Sequence, residues 1–215
     1  MDEKARESAF MTALVTEHFV LQSAASTTVS EAGVRASLYV FSLSSALVAM
    51  GFTAQSPEVF EPIVATVIPA VFVLGWFTVV RLVDTTVENL RFLRAIARIR
   101  RYYRSLAPEG TAFFAPWETS DDDSVEALAA MAVKPGRLTT FFTTASMVAT
   151  INSLVGGAGI TLLAWHVAGR DETLPAILLG AAAAAAFLFA SIAYQQRRYS
   201  ADGAKDQLIA ASSIS

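Results

Sequence analysis

The chain has 215 residues, 54% of them hydrophobic and only 16% charged, with a formal net charge of −3. An average soluble domain carries about 25% charged residues, so this composition points away from an ordinary water-soluble fold. No cysteine is present, which excludes disulfides, thiolate catalysis and cysteine metal sites.

Residues 1–35 read as a cytoplasmic helix. They contain no proline, and their only glycine is Gly33. Apolar Phe10, Leu14, Leu21 and Val29 are interleaved with Glu3, Glu7, Glu17 and Glu31. The run Ser-Ala-Ala-Ser-Thr-Thr at 23–28 offers hydroxyls that compete for backbone hydrogen bonds, so a break is expected there. His18, beside Glu17, is read as a surface or packed residue. The opening Met1-Asp2-Glu3-Lys4 lies far from the first apolar run, which starts only after Arg35. That arrangement is unlike a cleavable signal, and the first span is expected to be an uncleaved anchor.

Four stretches hold no charged residue: 36–56, 62–80, 138–169 and 173–196. A helix of roughly 20 apolar residues crosses a bilayer. The expected fold class is therefore all-α, a polytopic membrane protein of four transmembrane helices with cytoplasmic helical extensions. Lys and Arg are distributed unevenly around these spans. Three fall in 1–35, nine in 81–137 and three in the tail 197–215, against Arg170 alone between the remaining ends. The excess of Lys and Arg in cytoplasmic loops places both termini and the middle region inside. Tyr39, Trp76, Tyr194 and Tyr199 would then lie near the inner boundary, with Trp165 and His166 near the outer one.

Pro69 sits inside the second span and is a candidate hinge, with a fixed packing kink as the alternative. The second span is expected to run on as one helix to about Leu106. Pro108-Glu109-Gly110 supplies a turn. A short helix capped by Ser120 or Asp121 and running through Val133 follows the aromatic stretch 113–117. Asp121, Asp122 and Asp123 lack the spacing of a calcium loop and are read as a helix cap or as charge partners.

Two patterns are candidates for function. Arg91, Arg94, Arg98 and Arg101 recur at spacings of 3, 4 and 3, which puts them on one helical face, with Phe92, Ile96, Ile99, Tyr103 and Leu106 roughly opposite. This ridge is open to three readings. It is solvated and paired with acids of the first helix or of 118–126. It meets anionic lipid headgroups. Or it binds a phosphorylated ligand or an acidic cytoplasmic partner. Nucleic acid is not expected as a partner, because no recognised nucleic-acid fold accompanies the ridge.

The second pattern lies in the third span. Thr139, Thr143, Ser146, Thr150, Ser153 and Gly157 form a seam at spacings of 4, 3, 4, 3 and 4, with Asn152 just beside it. Such a seam serves close helix packing, or it lines a narrow path in an oligomer. Small residues four apart, Gly180/Ala184 and Ala186/Ala190 in span four, permit close approach, as do Ser42, Ser45 and Ala49 in span one. Gly156, Gly157 and Gly159 are expected to kink their helix or admit a neighbour. The spans hold no Asp, Glu, Lys or Arg, which argues against an ion-coupled carrier. No phosphate loop, nucleophile elbow or zinc-binding helix appears. No catalytic, cofactor or metal residue is therefore assigned, and an enzyme is not expected.

Thr16-Glu17-His18-Phe19-Val20-Leu21-Gln22, Ser37-Leu38-Tyr39, Ser44-Ser45-Ala46-Leu47-Val48-Ala49, Arg81-Leu82-Val83-Asp84 and the Tyr102-Tyr103 segment resemble uncharacterised four-span membrane proteins of actinobacterial type. The resemblance covers about the first half and implies a bacterial cytoplasmic membrane, but no activity. The leading expectation is a non-enzymatic homo-oligomeric membrane assembly, forming a pore or channel, whose cytoplasmic helices sense a partner. The alternative is a membrane scaffold or accessory subunit that binds a cytoplasmic partner. A lipid-modifying enzyme ranks third.

Overall fold

The computed structural model describes residues 2–106, 109, 113–114, 123–130, 143–168 and 173–212. Among these, all regular structure is helical: α1 (Glu3–Thr53), α2 (Pro57–Leu106), α3 (Asp123–Ala130), α4 (Thr144–Ala168) and α5 (Thr173–Ser212). Four of them, α1, α2, α4 and α5, are long and apolar enough to cross a membrane. The chain divides into two compact units, one of residues 1–31 and 85–139, the other of 32–84 and 140–215.

The break expected at 23–28 does not occur, and α1 is continuous. Its hydroxyls bond within the helix instead of competing with it. Thr27 Oγ1 donates to Ser23 O at 2.9 Å, and Thr28 Oγ1 donates to Ala25 O at 2.7 Å. A hydroxyl that returns to a carbonyl of the preceding turn leaves the backbone ladder intact. After α1 the chain turns tightly, with Ser56 N–H donating to Thr53 O at 2.9 Å. Ser56 O then accepts from Val59 and Phe60 N–H at 3.0 and 2.9 Å. Pro57 occupies the first helical position, where its missing N–H costs nothing. Pro62 and Pro69 lie within α2 without interrupting it, and both are exposed.

In the first unit, Leu21 of α1 packs with Ile96 and Ile99 of α2, flanked by Leu14, Phe92 and Tyr103. A buried polar contact adds specificity: Thr28 Oγ1 lies 3.2 Å from Asn89 Oδ1. Ala127 of α3 is fully buried. Ser120, Asp121, Asp122 and residues 131–133, expected to cap and complete the short helix, lie outside the described residues.

The second unit is built around Ala36, Tyr39, Val71, Val79, Leu82, Val83, Ala145, Val148 and Ala149. Helices α4 and α5 pack closely because small residues face each other. A Cβ on Gly157 would lie 2.6 Å from Gly180 O and 2.7 Å from Ala184 Cβ. Gly156 makes room for Phe72 and Phe187, whose rings are 4.9 Å apart, and Gly159 for Ile68. The glycine cluster thus admits neighbours from two helices. Asp84 of α2 and Arg198 of α5 form an ion pair in the same unit.

This unit carries large apolar side chains on its exterior and buries several polar ones beside its apolar core. Ser146, Asn152, Ser153, Ser191 and Gln195 are buried. Phe41, Phe52, Phe77 and Phe189 point outward, with exposures of 72%, 82%, 65% and 76%.

Gly157→Ala and Gly180→Ala should each destabilise the protein by about 1–3 kcal/mol through overpacking. Gly33→Ala should be neutral or stabilising, since a Cβ there meets nothing within 4 Å. Thermal unfolding of the three variants in detergent checks this contrast.

Candidate functional site

The arginine-rich part of α2 does not present a single ridge. Arg91, Arg98 and Arg101 are exposed, but Arg94 is only 8% exposed. Helix α2 is covered over a wide arc in this unit, so a 3-4-3 spacing spreads its members from open surface to buried flank. Leu106, expected on the apolar face, is half exposed.

Two carboxylates of α3 organise the remaining charge. Asp123 accepts from Arg101 Nη2 at 3.2 Å, and Arg98 Nε lies 3.5 Å from Asp123 Oδ2. Both arginines are substantially exposed, and surface pairs of this kind contribute little. Glu126 is different, because its side chain is 2% exposed. Arg104 grips it with both terminal nitrogens, Nη1 to Oε1 at 3.4 Å and Nη2 to Oε2 at 3.3 Å. Arg104 Nη1 also donates to Phe114 O at 3.1 Å, and Arg100 Nε approaches Glu126 Oε1 at 3.7 Å. A buried carboxylate requires this kind of compensation.

Neither Arg100 nor Arg104 belongs to the 3-4-3 ridge, and Glu126 was legible only as a member of an acidic run. The signal that could have found them is the 100/104 spacing, which places two arginines one turn apart and off the ridge. Asp121 and Asp122 lie outside the described residues.

His18 of α1 faces this cluster. Its ring lies 6.3 Å from that of Tyr103, which in turn lies 5.2 Å from Phe114. Burial and then the neighbouring Arg100 guanidinium hold the imidazole pKa below 6.5. His18 Nδ1 and Tyr103 Oη are buried and have no hydrogen-bond partner among the described residues. An open groove in the same unit is lined by Val20, Ser23, Thr27 and Thr28 of α1 and by Glu88 and Phe92 of α2.

In the other unit, the seam of the third span is used within one chain. Thr143 caps α4, its Oγ1 accepting from Ser146 N–H at 3.1 Å. Ser146 Oγ donates to Gln195 Oε1 of α5 at 3.0 Å. Gly157 abuts Gly180 and Ala184. Ser153 is buried and donates to Ala149 O at 2.7 Å, whereas Thr150 is exposed and donates to Ser146 O at 2.8 Å. Thr139 lies outside the described residues. The structure therefore brings Ser146 and Gly157 against α5 and leaves Thr150 facing away from the core.

Asn152 has a partner that the sequence placed elsewhere. Tyr39 Oη donates to Asn152 Oδ1 at 3.1 Å, and Tyr39 is 1% exposed, so its ring is enclosed by the chain's own core. Gly75 of α2 provides the space, since a Cβ there would overlap Asn152 Oδ1 and come within 2.7 Å of Tyr39 Cε2. Gln195 is fully buried, and its Nε2 has no partner among the described residues.

Chemically, the first unit offers a cluster of guanidinium groups around two carboxylates, and the second a set of polar contacts that lock helices together. Among the described residues, no three His, Cys, Asp or Glu side chains converge as a metal site would require. No protein-family model, no curated protein and no solved structure matches the chain.

Glu126→Ala should cost about 3–5 kcal/mol, because it leaves buried arginine charge uncompensated. Asp123→Ala should cost less than about 1 kcal/mol. Thermal melts of both variants, with limited proteolysis reporting on α3, check the difference.

Proposed function

We propose that this protein is a non-enzymatic, multi-pass component of a bacterial cytoplasmic membrane, acting as a scaffold or accessory subunit that binds a cytoplasmic partner through its first unit. The observation that carries the membrane reading is the apolar exterior of the second unit, with phenylalanines outward and several amides and hydroxyls buried beside an apolar core. Large outward apolar surface is unfavourable in water and natural in hydrocarbon. Helices α1 and α2 have 51 and 50 residues. Each is about 75 Å long at the usual helical rise. A hydrocarbon core of about 30 Å accounts for less than half of that. The remainder supports cytoplasmic helical extensions, and the distribution of Lys and Arg supports both termini lying inside.

The partner-binding reading rests on how the first unit is made. Its arginines are not a loose basic tail. Four of them are arranged about Asp123 and Glu126 on a separate helix, which is the kind of order a recognition surface needs. Arg91 and Arg98 remain at the surface.

A second reading, a homo-oligomer that conducts, draws on α1. Gly33 and Gly51 lie in its interior with nothing within 4 Å, and such open positions suit close approach by another copy. The seam of α4 gives this reading less support, since Ser146 and Gly157 already pack on α5.

The absence of native cysteine makes topology directly testable. A membrane-impermeant maleimide should label Glu58→Cys in intact cells and Ser8→Cys only after lysis. Equal labelling, or the reverse pattern, would sink the proposed orientation.

For the partner, the double change Arg91→Gln with Arg98→Gln should abolish a specific co-purifying protein while costing less than about 1 kcal/mol of stability, since the Arg98–Asp123 pair is exposed. Retention of every partner by the variant argues against this surface. Ion flux from liposomes containing the purified protein alone would favour the conducting reading instead.

A further inference from the structure

The contact between His18 and the arginine cluster has features that simple packing does not need. An imidazole in an apolar setting is usually satisfied through at least one ring nitrogen. Here Nδ1 is buried without a hydrogen-bond partner among the described residues, and so is the hydroxyl of the facing Tyr103. Tilted ring contacts run from His18 to Tyr103 to Phe114, and the carbonyl of Phe114 is held by Arg104. His18 therefore sits at one end of a chain of contacts whose other end is buried Glu126.

The described charged groups near it come from three helices. On α2, Arg100 and Tyr103 face His18. On α3, Glu126 is engaged by Arg100 and Arg104, and Asp123 by Arg98 and Arg101. On α1 itself, Glu17 is the neighbouring acid and is exposed. Among the described residues, four guanidinium groups lie about these two carboxylates. A positive imidazolium would face the Arg100 guanidinium, and Glu126 is already engaged by Arg100 and Arg104.

We propose that His18, Tyr103 and Arg100, with Arg100 also engaged by Glu126, form a pH-responsive latch that fastens α1 to α2 within the first unit and loosens when His18 is protonated. The latch is a property of this unit's own geometry and does not depend on the identity of any partner. Histidine is the side chain whose charge changes across mildly acidic pH, so the response falls on the acid side of the ordinary imidazole value.

The direction follows from linkage. Burial and Arg100 lower the folded-state pKa below the unfolded value of 6.5. The unfolded chain then binds more protons than the folded one between those two pKa values. Stability contributed by neutral His18 is fully present above 6.5 and is lost as pH falls from there toward the folded-state pKa.

The experiment uses the full chain in lipid nanodiscs. NMR follows the imidazole of His18 in a His166→Gln background, which leaves one histidine to observe. The latch requires His18 to titrate below 6.5 and Arg100→Gln to move that titration upward. Hydrogen exchange of residues 10–28, corrected for intrinsic pH dependence, should accelerate several-fold between about pH 7.5 and pH 5. In His18→Phe, which keeps an aromatic ring but cannot be protonated, that acceleration should vanish.

A His18 titration at or above 6.5 would overturn the latch, as would the same acceleration in His18→Phe. Because the NMR measurement keeps residue 18 native, it decides the matter even if His18→Phe fails to fold. A topology or partner test could fail without touching this result, and the reverse is equally true.

Discussion

A polar group enclosed by apolar surroundings must find its partner inside the chain, and each unit answers that constraint in its own way. In the second unit, apolar residues fill the core and also cover the exterior, so its buried amides and hydroxyls find most of their partners within. Tyr39 donates to Asn152, Ser146 donates to Gln195, and Ser153 returns to its own helix. These contacts need helices at short range, and glycine supplies the range. Without Gly75 there is no room for Asn152 beside Tyr39, and without Gly157 and Gly180 the backbones of α4 and α5 cannot meet.

The first unit solves the same problem for charge. Glu126 is as buried as any carboxylate in the described chain, and three groups converge because of it: Arg104, Arg100 and, through Arg104, the carbonyl of Phe114. A short helix of eight residues would have little stability alone. Its attachment through Ala127 and Glu126 gives α3 a defined place, and the exposed pairs at Asp123 contribute mainly register.

The helical class and the four long apolar segments were legible in the sequence because hydrophobic length is a local property. Contacts were less so, for physical reasons that particular residues make plain. A 3-4-3 spacing puts Arg94 near Arg91 and Arg98 on a helical wheel, but it cannot say how wide an arc of the helix is covered. Tyr39 reads as an interfacial ring from its position near a span boundary, yet a tyrosine hydroxyl with an amide opposite it is better placed in the core. The need of Asn152 for a partner could be stated from its place in an apolar run, but which helix would answer depended on Gly75, whose lack of a side chain leaves no mark in periodicity. The break expected at 23–28 failed because propensity counts hydroxyls as competitors, whereas Thr27 and Thr28 close their bonds within the turn.

That self-closure extends along α1. Thr12, Thr16, Thr27, Ser42, Ser44 and Thr53 each give their hydroxyl to a carbonyl one turn back, at 2.8 to 3.1 Å. A hydroxyl bonded in this way has no donor left to place outside its own helix, although its oxygen can still accept. At these six positions, then, α1 holds no unmet donor that ties it to water, and that preference is left to its charged and aromatic side chains.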